Sequence, residues 1–192
     1  MSTAYKILWN IAYPIFGFLF PCRYYGKENI PDGPVIVCAN HSNFVDPILV
    51  SFAFGASRQL YFMAKAELFK VPILNGILKI IGAFPISRGE TDINSIRTAM
   101  RHLKEGHRIM MFPEGTRVGL KDSVAAKNGA VRISTKMKAP ILPIYITPGK
   151  KVFHSAKLVI GKPFSFTVPE DKNYAPLSSE LMEKIRILEK QD

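Results

Sequence analysis

Short apolar runs alternating with helix-length segments predict an α/β domain: a mixed, largely parallel sheet flanked by helices. Two observations carry that prediction. Apolar stretches of about four to six residues recur along the chain and suit buried strands, being too short for helices. Between them lie segments whose apolar residues return at helical spacing, of which 92–103 is the clearest. A third observation adds an N-terminal membrane-associating helical segment: no residue from Ile7 to Cys22 is charged, and the run holds Trp9, Tyr13, Phe16, Phe18 and Phe20. The 192 residues suit one domain with a sizeable core and a terminal appendage. The division is 1–22 for the helical segment and 23–192 for the α/β domain.

As a helix, the uncharged run would span roughly 24 Å, short of a hydrocarbon core of about 30 Å. Pro14 would kink it or break its hydrogen bonding. The run therefore reads as a helix lying in the membrane interface or as a re-entrant hairpin, with a buried core helix as the other reading. No small-x-small cleavage site follows Phe20, which argues against a signal peptide. Residues 23–34 are rich in turn formers and read as a link into the domain. Val35–Cys38 is the first strand and delivers Asn40 and His41 at its end. Asp46-Pro47 reads as a helix start, Asp as N-cap and Pro at the first helical position, continuing to Phe54 before Gly55.

Leu60–Met63 is the next strand, followed by a helical stretch over Lys65–Ile81 interrupted at Pro72. Ala83–Ile86 is a strand. Asp92–Leu103 is an amphipathic helix with Ile93, Ile96, Met100 and Leu103 on one face, ended by Gly106. Arg108–Phe112 is a strand, Ala126–Lys138 a basic helix with Ala130, Ile133 and Met137 inward. Ile141–Ile146 and Lys157–Ile160 are strands, and Leu177–Leu188 closes the chain as an amphipathic helix.

Lys and Arg outnumber Asp and Glu by 26 to 15, a net charge of +11. That balance favours an anionic partner, whether nucleic acid, an acidic membrane surface or a phosphorylated substrate. The apolar N-terminus selects the membrane surface. Nucleic acid is not expected, because the chain has neither paired cysteines and histidines nor an aromatic sheet motif. The two cysteines, Cys22 and Cys38, have no metal-ligand spacing and fit a reducing, cytosol-facing compartment. No metal and no cofactor are expected.

Two motifs carry chemistry. In Asn40-His41-Ser42-Asn43-Phe44-Val45-Asp46, an imidazole precedes a carboxylate by five positions. Within one helix the two would point about 140° apart, so they meet only if 41–45 turn ahead of the helix. The carboxylate would then fix the tautomer and leave Nε2 to take a proton. The bland alternative is a cap and a loop histidine. Phe112-Pro113-Glu114-Gly115-Thr116-Arg117 reads as a phosphate cradle, with close approach at Gly115, a hydroxyl on Thr116 and a bidentate fork on Arg117. Glu114 cannot bind phosphate through its carboxylate and would orient basic side chains or the turn. Arg88, after Gly82-Ala-Phe-Pro-Ile-Ser, and Lys65 are weaker candidates alone. His41, Lys65, Arg88 and Glu114 all follow predicted strands, where sites of α/β sheets gather.

Read in order, these blocks and the apolar Pro140–Ile144 resemble the glycerolipid acyltransferase family, specifically the bacterial 1-acylglycerol-3-phosphate acyltransferases. The resemblance covers about residues 24–165. Pro85 departs from it, standing where the family more often has a β-branched or aromatic residue. The resemblance implies transfer of a fatty acyl group from acyl-CoA or acyl carrier protein to the sn-2 hydroxyl of a lysophospholipid, without a covalent acyl-enzyme. The chain has no Gly-x-Ser-x-Gly elbow and no cysteine in a motif, which agrees. His41 would be the base and Asp46 its partner, while Lys65, Arg88 and Arg117, with Glu114, Gly115 and Thr116, would hold the acceptor phosphate. The expected location is the cytoplasmic face of the inner (plasma) membrane, peripheral or monotopic. Another lysolipid or glycerol 3-phosphate as acceptor, and a non-catalytic binder of anionic lipid, are the alternative readings.

Overall fold

The computed structural model describes residues 2–87, 92–119 and 124–191. Its strands are β1 (Cys22–Tyr25), β2 (Ile36–Ala39), β3 (Leu60–Lys65), β4 (Ala83–Ile86), β5 (Arg108–Met111), β6 (Ile141–Ile146) and β7 (Ala156–Ile160). Its α-helices are α1 (Thr3–Leu19), α2 (Asp46–Phe54), α3 (Pro72–Ile80), α4 (Ile93–Lys104), α5 (Gly129–Met137) and α6 (Ala175–Ile187). The strands form one sheet in the order β1-β7-β6-β2-β5-β3-β4. Every neighbouring pair is parallel except β6 with β7.

Strand β2 lies central and is buried at every position. Its side chains alternate between two cores, as the two-residue period of a strand requires. Val37 and Ala39 face one core with Leu49, Val50 and Phe52 of α2. Ile36 and Cys38 face the other, built by Ala99 and Leu103 of α4, Val131 and Ile133 of α5, and Leu181 and Ile185 of α6. Helices on both faces explain why these strands read as continuous apolar runs.

Several expectations change. The segment 23–34 is more than a link, because its start is the edge strand β1, in parallel register with β7 from Cys22↔Ala156 to Tyr25↔Val159. Its polar and aromatic residues are only partly buried at an edge, so it lacks the apolar signature of the inner strands. Gly26 then turns the chain at φ +73°, where a Cβ would stand 2.1 Å from the Ile160 carbonyl oxygen. The 65–81 helix is two pieces, a 3-10 turn at Ala66–Lys70 and α3, with Pro72 in the first turn of the latter. In α4, Ile93 is exposed, and Ser95, Ala99 and Leu103 make the buried face. Pro85 sits on β4, an edge strand, where a missing N–H is tolerated.

Helix α1 continues through Pro14, which lies on an exposed face. Tyr5 is buried, and Trp9, Ala12, Phe16 and Leu19 follow the same seam onto the α2 side of the sheet. Phe52 of α2 takes the rings of Trp9 and Tyr13 edge-on, at 5.6 and 5.0 Å between centroids. The opposite stripe of Ile7, Ile11, Ile15 and Phe18 is solvent-exposed. No helix among the described residues is long and apolar enough to cross a membrane.

Parallel pairing places the C-terminal ends of β6, β2, β5, β3 and β4 on one edge of the sheet. Strand β7 runs the other way, so its start, Ala156, lies on that edge with Cys22 of β1. The end of α1 arrives there too, because the Phe153 N–H donates to the Leu19 carbonyl at 2.7 Å.

Candidate active site

The end of β2 delivers Asn40, whose side chain is clamped to the neighbouring β6. Its Nδ2 donates to the Ile146 carbonyl and its Oδ1 accepts the Ile146 N–H, both at 2.8 Å. His41 follows directly. Residues 41–45 turn ahead of α2, and the imidazole Nδ1 lies 3.0 Å from Asp46 Oδ2. Asp46 does not cap α2, contrary to the sequence expectation. It is the first helical residue, and its Oδ2 reaches back to accept the N–H groups of Ser42 and Asn43, each at 2.7 Å. The carboxylate thus shapes the turn that brings the histidine to it.

A residue that the sequence did not single out completes the group. Lys150, on the loop after β6, places Nζ 2.6 Å from Asp46 Oδ1, and both side chains are almost wholly buried. The ammonium also donates to the Thr147 carbonyl at 2.6 Å and to Ser42 Oγ at 3.2 Å. The only signal was a Pro148-Gly149-Lys150 turn after an apolar strand, which by itself points to no partner. Burial works to raise the Asp46 carboxyl. The hydrogen bond from His41, the Lys150 charge and the Asn43 N–H outweigh it and hold the group below the ordinary carboxylate range. An ionised Asp46 fixes the proton on His41 Nδ1 and leaves Nε2 as the acceptor. No hydrogen bond engages Nε2 among the described residues.

The end of β5 supplies the second loop. Phe112 stacks on the His41 ring at 4.0 Å between centroids, with 19° between planes. Glu114 is buried, and its Oε2 accepts the His41 main-chain N–H at 2.7 Å. Burial pushes its carboxyl above the usual range despite that bond. Glu114 is therefore a tether between the two loops. The Val118 N–H donates to the His41 carbonyl at 2.8 Å, which carries the exposed Thr116 and Arg117 past the histidine. Gly115, at φ +67°, gives its N–H to the Phe112 carbonyl at 2.9 Å, so that N–H serves the turn. The Lys127 side chain covers Gly115, bringing in another cation that sequence reading passed over.

Lys65 ends β3 exposed, paired in register with Ile86 at the end of β4. Arg88 lies outside the described residues, just past that strand. Lys65 and the loop carrying Arg117 thus follow the neighbouring strands β3 and β5, on one side of His41. Neither cysteine is an activated nucleophile: burial pushes the Cys22 thiol up to about 11 and raises Cys38 further.

The chain matches the family described as Acyltransferase over residues 21–147, which include both loops of the site. It belongs to this family and is an acyltransferase. It is 34% identical over 195 residues to the 1-acyl-sn-glycerol-3-phosphate acyltransferase of Bacillus subtilis (strain 168), covering 96% of each chain. With the enzyme of the same name from Streptococcus pneumoniae it is 35% identical over 128 residues, 65% of this chain and 47% of that one. Among solved structures it is similar to the 1-acyl-sn-glycerophosphate (LPA) acyltransferase PlsC from Thermotoga maritima. That likeness has a TM-score of 0.70 and 25% identity, and covers 98% of this chain and 79% of the other.

Proposed function

We propose that this acyltransferase moves a fatty acyl group from a thioester, acyl-CoA or acyl carrier protein, to the sn-2 hydroxyl of 1-acylglycerol 3-phosphate, giving phosphatidic acid. The observation that carries the mechanism is the His41 imidazole held by Asp46 at 3.0 Å with Nε2 facing no protein partner among the described residues. His41 Nε2 takes the proton of the acceptor hydroxyl as the oxygen attacks the thioester carbonyl. Asp46 stabilises the imidazolium, and Lys150 balances the buried carboxylate. The tetrahedral adduct collapses by breaking the C–S bond, and the leaving thiolate recovers the proton from His41. No residue of the chain is acylated.

Arg117, with Lys65 and Arg88, binds the acceptor phosphate, and Thr116 adds a hydroxyl. The tether from Glu114 fixes that loop relative to the base. Apolar surface gathers on the other side, at the end of α1, where Phe18 meets Phe153 at 5.4 Å and Phe44 is exposed. There α1 docks the enzyme on the bilayer interface, at the cytoplasmic face of the membrane.

The test is a purified-protein assay crossing lysolipid acceptors and glycerol 3-phosphate with acyl-CoA and acyl-carrier-protein donors. Lysophosphatidic acid is the expected acceptor, and transfer only to another acceptor overturns the assignment. His41→Ala is expected to lower kcat by roughly 100- to 10,000-fold with an unchanged circular dichroism spectrum. Near-normal turnover would remove His41 from the mechanism.

A further inference from the structure

On the opposite edge of the sheet, where α4 ends and β5 begins, three side chains converge on one point. Helix α4 closes in a Schellman turn: the His107 N–H donates to the His102 carbonyl at 2.9 Å and the Gly106 N–H to the Leu103 carbonyl at 3.1 Å. Gly106 takes the left-handed conformation at φ +81°. In this motif the residues at the places of His102 and His107 come together, usually as an apolar pair. Here both are imidazoles, and Glu105 stands between them in sequence.

Their Nδ1 atoms are 3.4 Å apart. Glu105 Oε2 lies 3.4 Å from the first and 3.3 Å from the second. The three donor atoms thus form a nearly equilateral triangle. Its edges are long for charge-assisted hydrogen bonds, which run about 2.7–2.9 Å. They match the edge of a tetrahedron whose metal–ligand bonds are about 2.0–2.1 Å, the length of zinc bonds to nitrogen and carboxylate oxygen. Tyr61 stacks against both imidazoles, at 4.3 and 4.5 Å, and Phe84 packs on His102 at 5.6 Å. These rings from β3 and β4 fix the imidazole orientations in advance. Glu105 and His107 are partly exposed, so a fourth ligand can arrive from solvent. Arg101 approaches Glu105 only through the other oxygen, at 4.0 Å.

We propose that His102, Glu105 and His107 bind a divalent transition-metal ion, Zn2+ in preference to Mg2+. Two imidazoles and one carboxylate suit a borderline ion, whereas Mg2+ selects oxygen ligands. The ion would staple the end of α4 to the start of β5, at the edge away from His41. It takes no part in acyl transfer.

Isothermal titration of the full, untagged chain with ZnCl2 is expected to show one site per chain, with no comparable binding of MgCl2. His102→Gln and His107→Gln should each weaken binding roughly tenfold or more, while His154→Gln should not. Saturating Zn2+ should raise the Tm by roughly 5 °C, and by less in either variant. Glu105→Gln, at an exposed position, should also weaken binding and keeps the test open if a histidine variant misfolds. Co2+ in place of Zn2+ should give the visible absorption of a four- or five-coordinate site. Absence of saturable Zn2+ binding, or binding unchanged in Glu105→Gln and both histidine variants, overturns the proposal.

Discussion

At Asp46 one buried carboxylate serves the Lys150 ammonium, the His41 imidazole and two main-chain amides, and its protonation state sets the whole group. Its carboxyl is held low in the folded chain, so the unfolded chain takes up the proton first as pH falls. The stability it contributes is therefore complete above about pH 4 and is lost on acidification toward its folded value. Lys150→Met should raise that folded value and move the onset of acid unfolding to higher pH. At neutral pH it should cost about 3 kcal/mol, the low end for breaking a buried ion pair, because three N–H donors still face the carboxylate. Urea unfolding across pH measures both, and an unchanged acid limb would refute the role given to Lys150. His41 and Asp46 were legible from sequence because they sit five positions apart. Lys150 was not, since it meets Ser42 from 108 positions away and no local pattern predicts that contact.

The loops after β2 and β5 behave as one element. Glu114 holds the His41 N–H, Val118 holds its carbonyl, and Phe112 lies against its ring. Gly115 is where that element is most vulnerable. An alanine there would stay at φ +67° and place its Cβ 2.7 Å from Lys127 Cε. Lys127 can swing away, so the expected loss of stability is about 1–2 kcal/mol, mostly backbone strain. Acceptor KM should rise several-fold with a smaller change in kcat, as steady-state kinetics of Gly115→Ala would show. A KM unchanged beside a collapsed kcat would shift the loop's role toward the chemical step. Strands β2 and β6 were readable because both faces are buried and their residues are apolar throughout. Strand β1 escaped because half of its pairing signal lies in β7, far along the chain. The carboxylate at the start of α2 resembled a cap by composition, but the direction its oxygens face depends on the turn before it.

Taken whole, the molecule carries a continuous part of its exposed apolar surface at the corner where α1 ends. The stripe of Ile7, Ile11, Ile15 and Phe18 runs along α1 to the edge that holds His41, and Phe44 and Phe153 extend it. Burying one phenylalanine is worth about 1.5–3 kcal/mol. Phe18→Asp combined with Phe153→Asp should therefore weaken co-sedimentation with anionic vesicles by more than tenfold. Turnover of a short-chain, monomeric acceptor should stay near normal, and unaltered vesicle binding would exclude this corner as the contact. The uncharged segment was plain in the sequence. Its split into a seam that packs on Phe52 and a stripe left outside is a product of tertiary packing, which periodicity alone could not assign. The gathering of the strand ends and the tip of α1 on a single edge has a kinetic meaning. Under the docking proposed above, an enzyme seated along that edge would meet its acceptor by lateral diffusion, in two dimensions. The quantity that governs its rate is then the surface density of lysolipid in the leaflet beneath it, whatever the volume of water above.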